Sequence, residues 1–486
     1  MNRRQFTVGS VAAITALLNT TNSLQAFSQT SAVPPAKSNG PETFVPTGRP
    51  PLAQRRFVSE AVEDTIRTVK PKIRHPRLAL LFENCYPNTL DTTVTYSEVN
   101  GRPDTFVITG DIRAMWLRDS SAQMLPYISL VPQDRNLQRL FQGLIHRQAD
   151  CILLDSYANA FYHTKKLGEF ATDRTEMRLG VHERKWEIDS LCYPIRLAYL
   201  YWKTTGDGGT LGGEWHQAAK RIVATFREQQ RLAGDGPYRF QRPTTMFYDN
   251  SPNKGLGNPT KKVGLLHSAF RPSDDACLFP FLIPSNFFAL ISLGQLNEIA
   301  KSEFRDSALA DDCAKLADQI REALEKYATA RHPSHGDIYA YEADGFGNVT
   351  FMDDANVPSL LSLPYLGCCQ HEDTRYKRTR AFVLSEDNPF FFRGVAEGIG
   401  GPHVGPGMIW PLSIIMRALT SRDELEIESC LRMLMETTGD TGFMHESFDA
   451  QNPLKYTRAW FAWCNSLFGE LIVSVAASHP VVLGRI

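Results

Sequence analysis

From about residue 58 to residue 478, apolar residues return at helical spacing, separated by stretches rich in Gly, Pro, Asn and Asp. Around 214–230, Trp215, Ala219, Ile222 and Phe226 share one face. Around 311–327, Cys313, Leu316, Ile320, Leu324 and Tyr327 do the same. Comparable patterns predict helices near 58–70, 120–130, 134–152, 187–204, 285–302, 357–364, 374–386, 408–419, 422–437 and 457–478. Short strands are expected only at 104–108, 338–342 and 236–249. No heptads, fixed-period repeat or bilayer-length apolar run accompanies them. About a dozen helices, each with one apolar stripe, must bury those stripes against one another, so the fold class is all-α, built from stacked helical hairpins. A closed ring and an open solenoid satisfy the periodicity equally.

The segments between helices carry the chemistry. Gly110 to Gln123, GDIRAMWLRDSSAQ, crowds Asp111, Arg113, Arg118 and Asp119 around Trp116. Carboxylate and guanidinium can fork the hydroxyls of a neutral ligand, and an indole can cover its ring. The plainer alternative is a helix start with Ser120 and Gln123 as a capping box. Arg271-Pro272-Ser273-Asp274-Asp275 puts two adjacent acids in apolar company, where desolvation and like charge disfavour ionisation. An N-cap with an acidic first turn explains that pair equally well. A magnesium-binding aspartate motif needs a further acid where Leu278 stands. Asp353-Asp354 fails the same test at Val357. Gly442 to Asp449 carries His445 and Glu446, and Glu446 on such a loop can act as general base. No second His completes a zinc-protease helix. Gly398 to His403 is a glycine-rich turn that can bring His403 close to a ligand. Trp460, Trp463 and Asn465 read as core residues of a helix.

Net charge is −1, from 52 basic and 53 acidic side chains. No basic excess points to nucleic acid and no polybasic tract to a membrane surface. The nine cysteines are scattered in apolar contexts, without a Cys-x-x-Cys pair, and predict neither a disulfide framework nor a zinc site. Asn2-Arg3-Arg4-Gln5-Phe6, the apolar Val8–Leu18 and Leu24-Gln25-Ala26 read as a twin-arginine-type signal peptide over 1–26. A flexible linker follows over 27–54, and a single catalytic domain over 55–486. The mature protein is expected to be periplasmic or secreted. No serine-hydrolase elbow or phosphate loop is present. Acid pairs, Arg–Asp forks and tryptophans on inter-helix loops are the equipment of glycoside hydrolysis.

Taken together, GDIRAMWLRDSSAQ, SAFRPSDDAC with LIPSN, EGIGGPH and MHESF resemble the exo-acting α-1,6-mannosidases of glycoside hydrolase family 125, in one order over about 350 residues. The resemblance implies an (α/α)6 toroid and a metal-independent mechanism; no cofactor is expected, and the protein is expected to be a monomer. It implies inverting removal of terminal α-1,6-linked mannose from an oligosaccharide or N-glycan. One of Asp274 and Asp275 would be the general acid, with Asp274 favoured, and Glu446 the general base. Arg118, Asp119 and His403 would hold the terminal mannose, with Asp111, Arg113, Trp116, Arg271 and His445 as further candidate contacts. Asp119, Asp189 and Glu397 stand next as candidate acids. The alternatives are an inverting α-glucosidase or trehalase-like toroid, and an inactive glycan-binding protein.

Overall fold

A computed structural model describes residues 48–486. The signal peptide expected over 1–26, and the linker up to residue 47, lie outside the described residues. The last part of that linker, 48–54, is docked. Arg49 bridges Glu63 (2.6 Å) and Asp91 (2.8 Å), so the ordered body begins before residue 55.

Among the described residues, twelve α-helices of eight or more residues form the scaffold: α1 (Glu60–Val69), α2 (Pro76–Cys85), α3 (Leu117–Met124), α4 (Arg135–Leu154), α5 (Asp189–Thr205), α6 (Glu214–Gln230), α7 (Ile283–Ile299), α8 (Ser307–Tyr327), α9 (Thr374–Val383), α10 (Pro411–Leu419), α11 (Glu424–Glu436) and α12 (Ala462–Ser478). They make the (α/α)6 toroid. Helix α3 packs on α5, α5 on α7, α10 on α12, and α12 back on α3, which runs the inner layer from α7 round to α10. The outer helices α4, α6 and α8 pack in series behind it. One continuous apolar core runs through both layers.

Inner and outer helices begin differently. Most outer helices carry side-chain caps: Ser59 on α1, Asp134 on α4, Asp306 on α8, Asp373 on α9 and Asp423 on α11, while α6 starts after Gly213 without one. Such caps satisfy backbone N–H groups locally. The inner helices α3, α5, α7, α10 and α12 have none. Most are entered from a strand of two residues or a short extended stretch. The polar clusters precede these uncapped starts, so the loops that enter the inner helices carry the candidate site residues.

The segment 357–367, bonded to Tyr193 and Arg196 of α5 and to Glu470 of α12, forms turns and not the helix expected over 357–364. Pro358 and Pro364 interrupt helical bonding, and the Asp353 carboxylate takes the Leu360 and Leu361 N–H groups at 2.8 and 3.0 Å. Helix α12 starts at Ala462, not near 457. Tyr456–Thr457 is a strand instead, because short apolar stretches do not distinguish a strand from a first helical turn. Helix α2 goes unforeseen; its Pro76 sits in the first turn, where a missing N–H costs nothing. The strands at 104–108 and 338–342 correspond to Arg102–Val107 and Gly336–Tyr339. The stretch 236–249 gives only a bridge from Gln241 to Arg174.

Candidate active site

Two small antiparallel sheets gather the polar clusters. In one, Ala160–Phe161 lies between Met115–Trp116 and Val181–Glu183, and the Leu117 N–H donates to the Asn159 carbonyl at 3.0 Å. This brings the start of α3 beside Asn159, Glu183 and the chain entering α5. In the other, Ser447–Asp449 lies between Met408–Ile409 and Tyr456–Thr457. It sets Glu446 beside Thr457 and Arg458. Gly400 lets the neighbouring loop close in: a Cβ there would stand 2.1 Å from the Met408 carbonyl oxygen.

Arg118 is the hub of the first half. Its buried guanidinium meets Glu187 at 2.6 Å, Asp189 at 3.1 Å, Asp274 at 3.4 Å and Asp119 at 3.4 Å. One cation cannot hold four buried carboxyls ionised, because each desolvated charge needs its own compensation. Burial therefore keeps the Glu187 carboxyl well above its ordinary range, with Arg118 only partly opposing it. Burial likewise pushes Asp189 up to about 6, and raises Asp119, which accepts from Thr109 at 2.7 Å. Asp274 moves the other way. Burial works against its ionisation, but Arg118, Lys185 and a hydrogen bond from Glu187 outweigh it. Lys185 also donates to the Asp274 carbonyl at 2.8 Å, and is itself held by Asp249 at 2.6 Å.

A tight turn separates the two aspartates. Asp274 N–H donates to the Arg271 carbonyl at 2.9 Å, and Arg271 N–H to the Asp275 carbonyl at 2.7 Å. Asp274 takes φ +66°, a left-handed conformation that Asp tolerates better than most residues. The kink sends the side chains to different partners. Asp274 joins Arg118 and Asn159, and keeps 24% of its side-chain surface exposed. Asp275 is 1% exposed and accepts from His403 Nδ1 at 3.0 Å, while its second oxygen has no partner. Burial would lower the His403 pKa. The bond to Asp275 and the charges of Asp275, Glu446 and Asp274 raise it instead, to about 9, so the ring is an imidazolium at neutral pH.

Glu446 is largely buried, accepting from Thr457 Oγ1 at 3.0 Å, with Arg458 Nε at 3.3 Å. Arg458 also faces Asp111 at 3.7 Å, and feels the charges of Glu446, Asp111, Asp119 and Asp274. His403 and Arg458 thus each sit in the field of both Asp274 and Glu446, which brings the two halves into one cleft.

The structure sorts the remaining expected residues. Trp116 is buried, edge-on to His182 at 5.2 Å, and its indole N–H has no partner. Arg113 is exposed and, among the described residues, makes no ion pair. Arg271 is committed to Glu342 at 2.7 Å, away from the cleft groups. His445 is buried and stacked 3.9 Å from Tyr456; its Nδ1 bonds the Arg458 carbonyl, so it supports the Glu446 loop. The capping box does not form: Ser120 lies inside α3 and its hydroxyl accepts from Gln148 at 3.0 Å. Glu397 pairs with Arg417 at 2.7 Å, outside this cluster. Asn159, Lys185, Glu187 and Arg458 enter the site without having been singled out. The one available signal was the charge density of Glu183-Arg184-Lys185-Trp186-Glu187-Ile188-Asp189, which reads as a solvated helix start. His332 and His335 on the 329–339 hairpin group with Asp387 from the turns after α9, and among the described residues share no hydrogen bond or ion pair with the cleft residues. A cavity of about 680 Å³ between α6 and α8, lined by Lys220, Arg227, Asp306 and Asp312, contains none of the cluster residues.

Comparison with known proteins finds related chains over most of this length. The metal-independent α-mannosidase family (GH125) matches residues 75–473. The meiotically up-regulated gene 157 protein of Schizosaccharomyces pombe is 40% identical over 461 residues, covering 91% of this chain and 90% of the relative. A Streptococcus pneumoniae member of a family of metal-independent α-mannosidases, solved in a non-productive complex with α-1,6-mannobiose, superposes with a TM-score of 0.83 at 41% identity. That match covers 86% of this chain and 99% of the other.

Proposed function

The chain belongs to glycoside hydrolase family 125, the metal-independent α-mannosidases, and on that footing we propose that it removes non-reducing terminal α-1,6-linked mannose by a single inverting displacement. The observation that carries the reading is the set of ion pairs Asp274–Arg118, Asp275–His403 and Glu446–Arg458, with His403 and Arg458 each feeling the charges of both Asp274 and Glu446. Hydrolysis with inversion needs two carboxyls on opposite faces of the sugar, one protonating the leaving oxygen and one activating water.

Asp274 is the acid. It is the more exposed of the two aspartates, and a proton-bearing neighbour touches it. Asp275 instead holds His403 as an imidazolium, whose free Nε2–H can donate to a mannose hydroxyl. Arg118 and Asp119 line the same cleft, and the unpartnered indole N–H groups of Trp116 and Trp410 are further donors for a hydroxyl-rich ligand. Glu446, oriented by Thr457 and Arg458, takes a proton from the attacking water. The mannosyl group passes through an oxocarbenium-like transition state and leaves as β-mannose. Proton NMR of α-1,6-mannobiose turnover tests this. β-Mannose should appear first and mutarotate later, and initial release of the α-anomer overturns the mechanism.

The enzyme is further proposed to act as a monomer, since all these groups come from one chain, and outside the inner membrane, from the twin-arginine signature at Arg3-Arg4. Replacing both arginines by lysine should retain the protein in the cytoplasm, and unchanged export would remove the signal assignment.

A further inference from the structure

We propose that Glu187 is the proton-holding partner of Asp274: the two carboxyls share one proton, and Glu187 keeps it in the cleft until Asp274 passes it to the glycosidic oxygen. This rests on the reading of Asp274 as the acid.

The geometry leads there. The charge of Asp274 raises the proton affinity of the buried Glu187 carboxyl, and one proton held between the two relieves that repulsion. They also share two donors. Arg118 reaches Glu187 Oε2 at 2.6 Å and Asp274 Oδ1 at 3.4 Å, and Asn159 Nδ2 reaches Glu187 Oε1 at 3.5 Å and Asp274 Oδ1 at 3.3 Å. Glu187 is fully buried, whereas Asp274 opens to the cleft. Its rotamer is fixed from a third side by the Ser190 hydroxyl, which donates at 2.8 Å from the first turn of α5.

The surrounding charges favour one proton on the pair. Facing it are Arg118 and Asp119 from α3, Asp189 from α5, Lys185 from the strand side, and His403 from the glycine loop. Burial holds the proton on Glu187 while Arg118 and Lys185 keep Asp274 ionised. An aspartate so close to two cations, with no such neighbour, would be a poor acid at neutral pH.

The proton count closes. The Glu187 proton crosses to Asp274, leaving Glu187 as a carboxylate against Arg118. Asp274 gives that proton to the glycosidic oxygen as the C–O bond breaks. Glu446 takes one proton from the attacking water. Solvent then removes that proton from Glu446 and returns one to the pair through exposed Asp274.

Glu187→Gln tests the idea, since the amide keeps the shape and can donate to Asp274 but has no transferable carboxylic proton. On α-1,6-mannobiose, kcat/KM should fall roughly 10²-fold or more. Its alkaline limb should move to lower pH, because Asp274 alone beside Arg118 and Lys185 loses its proton earlier. Turnover of α-mannosyl fluoride, whose leaving group needs little protonation, should stay near wild type. A wild-type pH profile on mannobiose, or equal loss on both substrates, reduces Glu187 to structural support and overturns the proposal. Should the variant fold poorly, infrared spectroscopy of the wild type supplies a second measurement. A carboxylic-acid carbonyl stretch at neutral pH should be perturbed by Asp274→Asn, and its insensitivity to that change also overturns the proposal. If Asp274→Asn retains mannobiose turnover, the acid assignment itself fails, and the two failures remain distinct.

Discussion

Asp274-Asp275 and Asp353-Asp354 are the same dipeptide in similarly apolar company, and the fold treats them oppositely. Around Asp353-Asp354 the partners are fixed, neutral donors: Leu360 and Leu361 N–H on Asp353, and Asn356 N–H and the Ser273 hydroxyl on Asp354. All four carboxyl oxygens are occupied, and both residues are fully buried. Around Asp274-Asp275 most of the neighbours are ionisable, Arg118, Glu187 and His403, with Asn159 the neutral exception. One Asp275 oxygen is left free. Carboxylates on backbone N–H groups fix a loop's shape, whereas carboxylates on charged side chains have an adjustable proton affinity. Only the latter suits proton transfer. The Ser273–Asp354 bond of 2.6 Å joins the two, so the fixed pair braces the turn that presents the proposed acid.

The contrast can be broken in four places. The largest effect should come from outside both pairs. Glu446→Gln should abolish turnover of α-1,6-mannobiose and α-mannosyl fluoride alike, since water must be activated whatever leaves; near-normal rates on either remove Glu446 as base. Asp274→Asn should lower mannobiose turnover by roughly 10²–10⁴-fold, spare the fluoride and leave the protein folded. Loss of thermal stability in place of activity would put Asp274 in the structural class.

Asp275→Asn should be milder, about tenfold on kcat/KM. Without its anionic partner the His403 pKa falls from about 9 toward about 6.5, so activity should be lost at lower pH as the ring neutralises earlier. A pH profile unchanged on its alkaline side counts against the imidazolium role.

Asp353→Asn should leave kcat nearly intact and cost about 1–3 kcal/mol of stability, a shift of a few degrees in calorimetry. Burial raises the folded pKa of Asp353 to about 8, against backbone donors that oppose it. The folded state therefore binds the extra proton, and this group's contribution to stability falls as pH rises from about 4 to 8. The gap between wild type and variant should narrow over that range; a constant gap contradicts the raised pKa.

Much of this molecule was legible before folding. Trp215, Ala219, Ile222 and Phe226 announce α6 by spacing alone, because an amphipathic helix writes its buried face into the chain every third or fourth residue. The loops bearing Arg118, Asp274, His403 and Glu446 stand out because charged residues, glycines and tryptophans there serve no stripe. Helix starts were misjudged where two or three apolar residues form a strand before the first turn, as at Met408–Ile409 and Tyr456–Thr457. Arg271 looked like a ligand-binding residue because its partner, Glu342, is far away in the chain.

The sequence by itself thus determined the helical scaffold, the loops that would carry the chemistry, and the family. Tertiary structure alone decided which aspartate meets which cation, that Glu187, Asn159, Lys185 and Arg458 belong to the site, and where a proton can rest. The physical reason is range. Helical periodicity and turn chemistry are local and survive in one dimension. A buried carboxyl's proton affinity depends on desolvation and on charges that only the closed ring brings within a few ångströms.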